Sequence, residues 1–162
     1  MHALETVAPA FVEMAHRIVW CTAATVDPSG APRTRVLHPM WQWDGERLTG
    51  WIATSPLSPK AAHLNAPGGN RMSVTYWHPE HDTCTADCSV TWEDTPAERA
   101  AGWQRFADVP PPLGYDPRII PPWTSPDAPG FGIIRLDPSL LRVLPGSVMM
   151  KGEGELLSWR AS

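Results

Sequence analysis

The sequence predicts a mainly β (α+β) protein built on an antiparallel sheet or barrel, and three observations support that class. Runs rich in β-branched and aromatic residues recur along the chain. Turn-forming pairs separate several of these runs, and Asp44-Gly45 is a strong hairpin signal. The predicted strands also follow one another consecutively, which favours an antiparallel arrangement over a doubly wound parallel sheet.

The strands are predicted from these runs and from the turns between them. We expect strands over residues 18–26, 31–43, 47–54, 72–77, 84–92, 132–143 and 156–160. Within the second of them Pro39 indicates a bulge or a sheet edge, because proline cannot donate a ladder hydrogen bond.

Three short helices are predicted from apolar spacing and from capping signals. They cover residues 7–17, 59–66 and 96–107. In the second helix Ser58 is a good N-cap and Pro59 suits the first helical position. The third helix opens with Thr95 and Glu98 at the spacing of a capping box.

Residues 108–130 are too rich in proline for a helix or a central strand. We expect an extended, stiff loop over the surface, acting as a lid, as a partner contact or as a segment that only wraps the domain. Tyr115 and Trp123 are the residues with which it could shape a substrate pocket.

The composition limits the classes of function that we expect. The 162 residues predict one domain, 1–162, with 43% hydrophobic and 19% charged residues, as in soluble globular proteins. The net charge of −4 provides no basic surface for nucleic acid. No signal-peptide pattern and no apolar run near the ~18 residues of a membrane span occurs. We therefore expect a cytoplasmic protein without nucleic-acid or membrane partners.

The cysteine and histidine pattern gives little support to a metal site. Cys21, Cys84 and Cys88 have no framework spacing and are interpreted as reduced thiols. A zinc site at the last two would need further ligands, for which only His78 and His81 lie nearby. Haem or metal binding stays a separate alternative that draws on scattered histidines.

The junction between the third strand and the second helix carries the main functional signal. Only two of the 13 basic residues are lysines, and one of them, Lys60, falls in the first turn of this helix. A helix N-terminus already carries partial positive charge, so a cation there is mildly unfavourable. Together with the hydroxyls of Thr54, Ser55 and Ser58, this ammonium could bind a phosphate. Alternatively, Lys60 is a solvated residue and the serines form turns.

Two arginines favour the phosphate interpretation. Arg33 and Arg35 alternate onto one face of the second strand. If that strand forms the Asp44-Gly45 hairpin with the third, Arg35 pairs near residues 50–54 and reaches the junction. Converging there, the arginines could hold a phosphate bidentately. Otherwise they are solvated.

Residues 22–77 resemble the FMN-binding split barrels of the pyridoxamine 5′-phosphate oxidase-like superfamily. The resemblance runs through ATVDPSGAPRTRVLHPMW, the DG hairpin, WIATSPLSPKAAHL and NRMSVTYW. The strand motif of the family, Pro-x-x-Arg-Val/Ile, is similar to Pro32 through Val36. Its Tyr-Thr-Asn segment is similar to Ala53-Thr54-Ser55, and its Ser-Arg-Lys phosphate clamp is similar to Ser58-Pro59-Lys60.

The resemblance implies an antiparallel six-stranded split β-barrel with a few short helices, working as a homodimer with flavin between the subunits. By carry-over, Arg35, Thr54, Ser55, Ser58 and Lys60 hold the FMN phosphate, with Arg33 on the same strand face. Backbone near Val36 and Ala53 faces the isoalloxazine ring, and Trp77 is a candidate wall. The implied function is that of a flavin-dependent oxidoreductase acting on a small-molecule substrate.

The sequence departs from the family pattern at three places. Pro59 replaces the clamp arginine, Met40 replaces a second basic residue, and the chain ends in Trp159-Arg160 without the family's Arg-Leu-His-x-Arg element. These departures argue against vitamin B6 oxidation. They keep two alternatives open, a reductase that uses the deazaflavin F420 and a non-catalytic flavin-binding protein.

No catalytic residue is predicted, because a flavin can carry the hydride chemistry itself. His38 and His63 are candidate proton donors, with packed or surface histidines as the alternative.

Overall fold

All strands pair antiparallel in one eight-stranded sheet within residues 1–161, the part of the chain that the computed structural model describes. The strands are β1 Cys21–Val26, β2 Pro32–Leu37, β3 Met40–Trp43, β4 Leu48–Thr54, β5 Arg71–Trp77, β6 Thr83–Glu93, β7 Gly132–Leu144 and β8 Leu157–Arg160. The helices are α1 Leu4–Ile18, α2 Pro59–Asn65, α3 Pro96–Ala107 and α4 Gly146–Lys151, with a 3-10 turn at Pro117–Ile119. The mainly β class and the antiparallel sheet are confirmed.

The strand order requires the sheet to curl. The order is β2-β1-β5-β6-β7-β4-β3, with β8 added to the C-terminal half of β7. Strands β2 and β3 lie at opposite ends of this order, yet only His38 and Pro39 connect them. The sheet must therefore curl until its two ends meet. No ladder joins β2 to β3 within the described residues, so the sheet is not closed.

The single strand predicted over residues 31–43 is wrong, because it breaks at Pro39. Its first half pairs with β1 and its second half with β4. The reason is that proline offers no ladder donor at the point where the chain crosses from one end of the sheet to the other. This break and the separate β8 give eight strands rather than the six that the resemblance implies.

Helix α1 closes one side of the barrel and supplies much of the main core. It runs from Leu4 through Ile18, so it takes up the start of the strand predicted at 18–26 and ends at Val19, whose φ is 73°. Phe11 of this helix packs edge-on against Trp41, with ring centroids 5.0 Å apart. The buried Trp41 indole then donates a hydrogen bond of 2.8 Å to the hydroxyl of Tyr76.

A second, smaller core lies between α3, strands β3, β4 and β7, and the proline-rich segment 108–130. Trp51, Trp123, Phe106 and Phe131 are its largest members, all buried. Helix α3 approaches β7 closely at Gly102, where a Cβ atom would lie 2.3 Å from a side-chain carbon of Ile133.

The proline-rich segment runs over the surface without an α-helix or a strand, as expected, and it is also anchored to the domain, with Trp123 and Ala128 buried. Arg99 of α3 donates hydrogen bonds to the carbonyls of Pro126 and Ala128, at 2.9 and 2.7 Å. The amide of Tyr115 donates to the carbonyl of Phe106 at 2.9 Å. The segment therefore forms a fixed wall beside α3.

The three cysteines are buried free thiols, as expected. Burial raises the pKa of Cys21 to about 12 and raises that of Cys84 and Cys88 as well. They are therefore inert core residues. His78 groups with two carboxylates of its own turn rather than with the cysteines. No helix in the described part of the chain is long and apolar enough to cross a membrane.

Candidate functional site

Arg35 and Lys60 form a pair of neighbouring cations at the predicted strand–helix junction. Arg35 lies on β2 opposite Ala23 of β1, and its guanidinium donates 3.2 Å to the Ala23 carbonyl. The expected pairing of Arg35 with residues 50–54 is wrong, because β4 pairs with β3 and β7 instead. Arg35 reaches the junction because α2 packs on β1, where His63 and Thr25 share a hydrogen bond of 2.9 Å.

The two cations are partly buried and lack a counter-ion. Burial lowers the pKa of the Lys60 ammonium, and the nearby Arg35 charge lowers it further. Burial also lowers the pKa of the Arg35 guanidinium. Within residues 1–161 neither side chain has a carboxylate within salt-bridge distance. Two positive groups brought together in this way form an electrostatic site for an anion.

The Ser58 hydroxyl positions the Lys60 ammonium. Lys60 Nζ donates to Ser58 Oγ at 3.0 Å, and Ser58 Oγ donates to the Ser55 carbonyl at 2.7 Å. Ser58 takes the N-cap position of α2, but its hydroxyl makes no capping bond, contrary to the prediction. The Ser55 hydroxyl accepts from the amide of Leu57 at 3.2 Å, and Thr54 is buried at the end of β4. The position of the Lys60 ammonium is therefore set by its hydrogen bond to Ser58.

Arg33 and Trp77 lie outside this cluster. Arg33 donates 2.9 Å to Asp27, whose carboxylate also accepts from Ser29 and Ala31. The Ser29 hydroxyl, the Ala31 amide and then Arg33 hold the pKa of Asp27 well below its usual range. Arg33 therefore fixes the β1–β2 turn. Trp77 is 58% exposed at the end of β5.

A cavity of about 390 Å³ lies between β2, β4 and the proline-rich segment. Val36 of the end strand β2 and Ala53 of β4, the strand next to the other end, line it together with Tyr115 and Trp123 of the proline-rich segment. Trp20 and His38 also line it. The wall is apolar and aromatic and contains no lysine, arginine or carboxylate. Such a pocket suits a flat apolar ligand.

His38 is the one imidazole in this wall, and it is only 8% exposed. Its ring lies 4.9 Å from Trp20 and 5.4 Å from Tyr115, measured between centroids. Burial lowers the pKa of His38, although a hydrogen bond to the Leu113 backbone opposes that effect. Its Nε2 atom is buried without any hydrogen-bond partner in the described structure.

Strand β2 links the two features. Arg35 and the next residue, Val36, point to opposite sides of the strand, so one joins the cation pair and the other lines the cavity. This arrangement can hold a ligand with an anionic end and a flat body. The sequence did not predict Trp20 as a wall residue. Trp20 lies directly before β1, and only the way β1 pairs in the sheet determines on which side of the sheet Trp20 lies. His63 lies on Thr25 and does not line the cavity.

Comparisons with known proteins agree on the fold. No family profile and no curated protein matches the sequence. Among solved structures, one match is a protein of Clostridium acetobutylicum that is related to general stress protein 26, of the pyridoxinephosphate oxidase family. It is 11% identical to this chain with a TM-score of 0.68, and the match covers 96% of this chain and 95% of that one. A pyridoxamine 5′-phosphate oxidase-related, FMN binding protein of Nostoc punctiforme is 19% identical with a TM-score of 0.65, at 95% and 96% coverage. A heme binding protein of Mycobacterium smegmatis is 14% identical with a TM-score of 0.67, and the match covers 99% of this chain and 59% of that one. The resemblance is confirmed at the level of the fold.

Proposed function

We propose that the protein binds FMN, with the phosphate at Arg35 and Lys60 and the isoalloxazine ring against Val36 and Ala53. The observation that carries this proposal is the partly buried cation pair without a carboxylate partner. A phosphate monoester carries about −1.5 to −2 charges at pH 7, so it offsets both cations. The FMN binding protein of Nostoc punctiforme with the same fold supports FMN as the ligand.

The chain's own residues fit this ligand. The Ser58 hydroxyl contacts the Lys60 ammonium and can donate to a phosphate oxygen after reorienting, and the hydroxyls of Thr54 and Ser55 are the further donors that we propose. The cavity wall excludes water from one face of the ring. FMN would supply hydride transfer when bound, so the proposed activity is that of a flavin-dependent oxidoreductase acting on a small molecule.

We also propose a homodimer, because one face of the sheet exposes large apolar side chains. Val36 is 64% exposed, and Trp20 and Trp77 are each 58% exposed. Thr22 pairs with both Val36 and Thr75 in the register, so the alternation of strands places these apolar residues on the same side. A second copy covering this face would border the cavity.

The binding proposal is tested by titrating the flavin-free protein with FMN and with riboflavin, which has the ring but no phosphate. Charge-assisted hydrogen bonds contribute about 1.5–3 kcal/mol each. We therefore expect FMN to bind at least about tenfold more tightly than riboflavin, measured by flavin fluorescence. Equal affinity for the two, or no binding of either, would contradict the proposed phosphate site.

Coenzyme F420 is the second candidate cofactor. Met40 stands where the family has a basic residue and is buried in the second core, so that position contributes no charge. A parallel titration with F420 shows whether Arg35 and Lys60 bind the anionic tail of F420 or the phosphate of FMN more tightly. Reduction of the bound cofactor and its reoxidation by candidate acceptors separate an enzyme from a non-catalytic carrier. Sedimentation with and without FMN tests the dimer.

A further inference from the structure

We propose that the His38 side of the cavity binds a flat, uncharged aromatic substrate that donates one hydrogen bond to His38 Nε2. This inference rests on the proposed function in placing the flavin ring against Val36 and Ala53. The remaining wall of the cavity, formed by Trp20, His38, Tyr115 and Trp123, then faces the substrate.

The shape and polarity of this wall set the class of ligand. Its aromatic rings offer stacking surfaces for a planar molecule. The absence of any charged side chain from the wall means that a bound charge would lose its hydration without compensation. Substrates bearing a carboxylate, a phosphate or an ammonium on the aromatic body are therefore excluded.

The tautomer of His38 decides whether the ligand donates or accepts the single hydrogen bond. The hydrogen bond between this ring and the Leu113 backbone is one in which the Leu113 carbonyl is the acceptor. Because Nε2 has no partner, the donor in that bond is Nδ1. In a neutral imidazole only one nitrogen carries a proton, so Nε2 is left as an acceptor. The complementary ligand group is a hydroxyl or an N–H.

An unsatisfied buried acceptor gives such a ligand a specific gain in affinity. Leaving a buried polar atom without a partner is unfavourable, and native proteins do so rarely. A ligand hydroxyl that reaches Nε2 removes this cost. Trp20 packs against the His38 ring at an interplanar angle of 51° and is 58% exposed, so of these two side chains Trp20 is the one that an entering ligand meets first.

The test uses three naphthalene probes that share one flat body. They are 2-naphthol, which donates a hydrogen bond, 2-methoxynaphthalene, which cannot donate, and 2-naphthoate, which is anionic. Calorimetry on the full-length, flavin-free protein should show 2-naphthol binding about threefold to tenfold more tightly than the ether. The naphthoate should bind more weakly than both. Binding of 2-naphthol should also shift the ¹⁵N resonance of His38 Nε2.

His38→Phe keeps an aromatic ring between Trp20 and Tyr115 but removes the acceptor. In this variant we expect 2-naphthol and the ether to bind equally. His78→Asn, on the β5–β6 turn outside the cavity wall, is the matched control and should keep the difference. Equal binding of the two probes to the wild-type protein, preference for naphthoate, or no binding of any probe would each overturn the inference. A Soret band on haem addition that His38→Phe abolishes would also overturn it.

A repeat titration with FMN bound separates this inference from the proposed function. Retained 2-naphthol binding in the FMN complex supports both. If FMN binds and displaces 2-naphthol, the flavin itself occupies the His38 side, and only the substrate inference fails. If 2-naphthol binds with the expected preference and FMN does not bind at all, the substrate pocket stands and the flavin proposal fails.

Discussion

The guanidinium of Arg35 lies close enough to Lys60 to lower the pKa of the Lys60 ammonium, although the two residues come from different elements of the fold. Strand β2 supplies one and helix α2 the other, and both side chains lose part of their hydration there. Like charges that approach each other out of water oppose folding. The same arrangement favours any anion that can bind between them, which is why the pair indicates a ligand site.

Replacing Arg35 by Gln or Lys60 by Met should weaken FMN binding without unfolding the protein. Each variant removes one charge-assisted contact of about 1.5–3 kcal/mol, which corresponds to an increase of roughly tenfold to 150-fold in the dissociation constant. The unliganded variants should resist urea as well as the wild type or better, because the repulsion is gone. Flavin fluorescence and urea titrations measure the two effects.

Lys151→Met is the matched control for that experiment. Lys151 is the only other lysine and lies exposed in the last turn of α4. Its replacement should leave the FMN dissociation constant unchanged. A loss equal to that of Lys60→Met would mean that total charge, rather than the Arg35–Lys60 pair, attracts the cofactor.

Replacing Arg99 by Met should release the proline-rich wall of the cavity. Arg99 alone ties α3 to the carbonyls of Pro126 and Ala128. Hydrogen bonds from a charged donor contribute about 1.5–3 kcal/mol, so the free energy of unfolding should fall by about that amount. Hydrogen exchange should quicken across residues 113–131, and 2-naphthol should bind more weakly.

Arg118→Met provides the comparison within the same segment. Arg118 bonds only to Asp116, two residues away, and both side chains are exposed. An exposed pair of this kind contributes little to stability. Exchange in residues 113–131 should therefore match the wild type. Faster exchange in both variants alike would show that the wall does not depend on the Arg99 anchor.

Local signals predicted much of the fold. The capping box at α3 forms as expected, because the Thr95 hydroxyl accepts from the Glu98 amide and the Glu98 carboxylate accepts from the Thr95 amide. The hairpin at Asp44-Gly45 joins β3 and β4. Both features depend on residues within a few positions of one another. The break at Pro39 does not, because the flanking residues still suit a strand and only the pairing of β2 and β3 at opposite ends of the sheet separates them.

The site was predicted in part for the same reason. The sequence places Lys60 beside Ser58 at the start of a helix, and the structure joins them by a hydrogen bond. The alternation on β2 predicted that Arg33 and Arg35 were equally good phosphate ligands. In the structure Arg33 instead binds Asp27, six residues earlier in the chain, whereas Arg35 does not. The cavity wall depends on how residues 108–130 pack against α3, which composition alone cannot specify.

Tyr76→Phe should destabilise the main core. The buried indole of Trp41 donates to the Tyr76 hydroxyl at 2.8 Å, so removing the hydroxyl leaves a buried N–H without a partner. The expected cost is about 1–3 kcal/mol in the free energy of unfolding, measured in urea. Tyr115→Phe, at the only other tyrosine, should cost less because no protein hydrogen bond of its hydroxyl is lost within the described residues. The reverse ranking would contradict this account of the core.

The stability of the protein should fall as the pH drops from 7.5 to 5.5, and His16 is one cause. Its Nε2 accepts a hydrogen bond of 3.0 Å from the amide of Trp41, which a protonated ring cannot do. Burial lowers the pKa of His16, and the neighbouring His38 lowers it further. The unfolded chain titrates near a pKa of about 6.5 and takes up the proton first.

The stabilising contribution of neutral His16 is therefore present above about pH 6.5 and is lost as the pH falls through that value. The slope for one imidazole is at most about 1.4 kcal/mol per pH unit. His16→Gln keeps an acceptor for the Trp41 amide and removes one titrating group, so its free energy of unfolding should depend less steeply on pH. Urea titrations at pH 7.5, 6.5 and 5.5 measure both slopes. Equal pH slopes for the wild type and His16→Gln would contradict this explanation. They would mean that groups other than His16 account for the acid sensitivity.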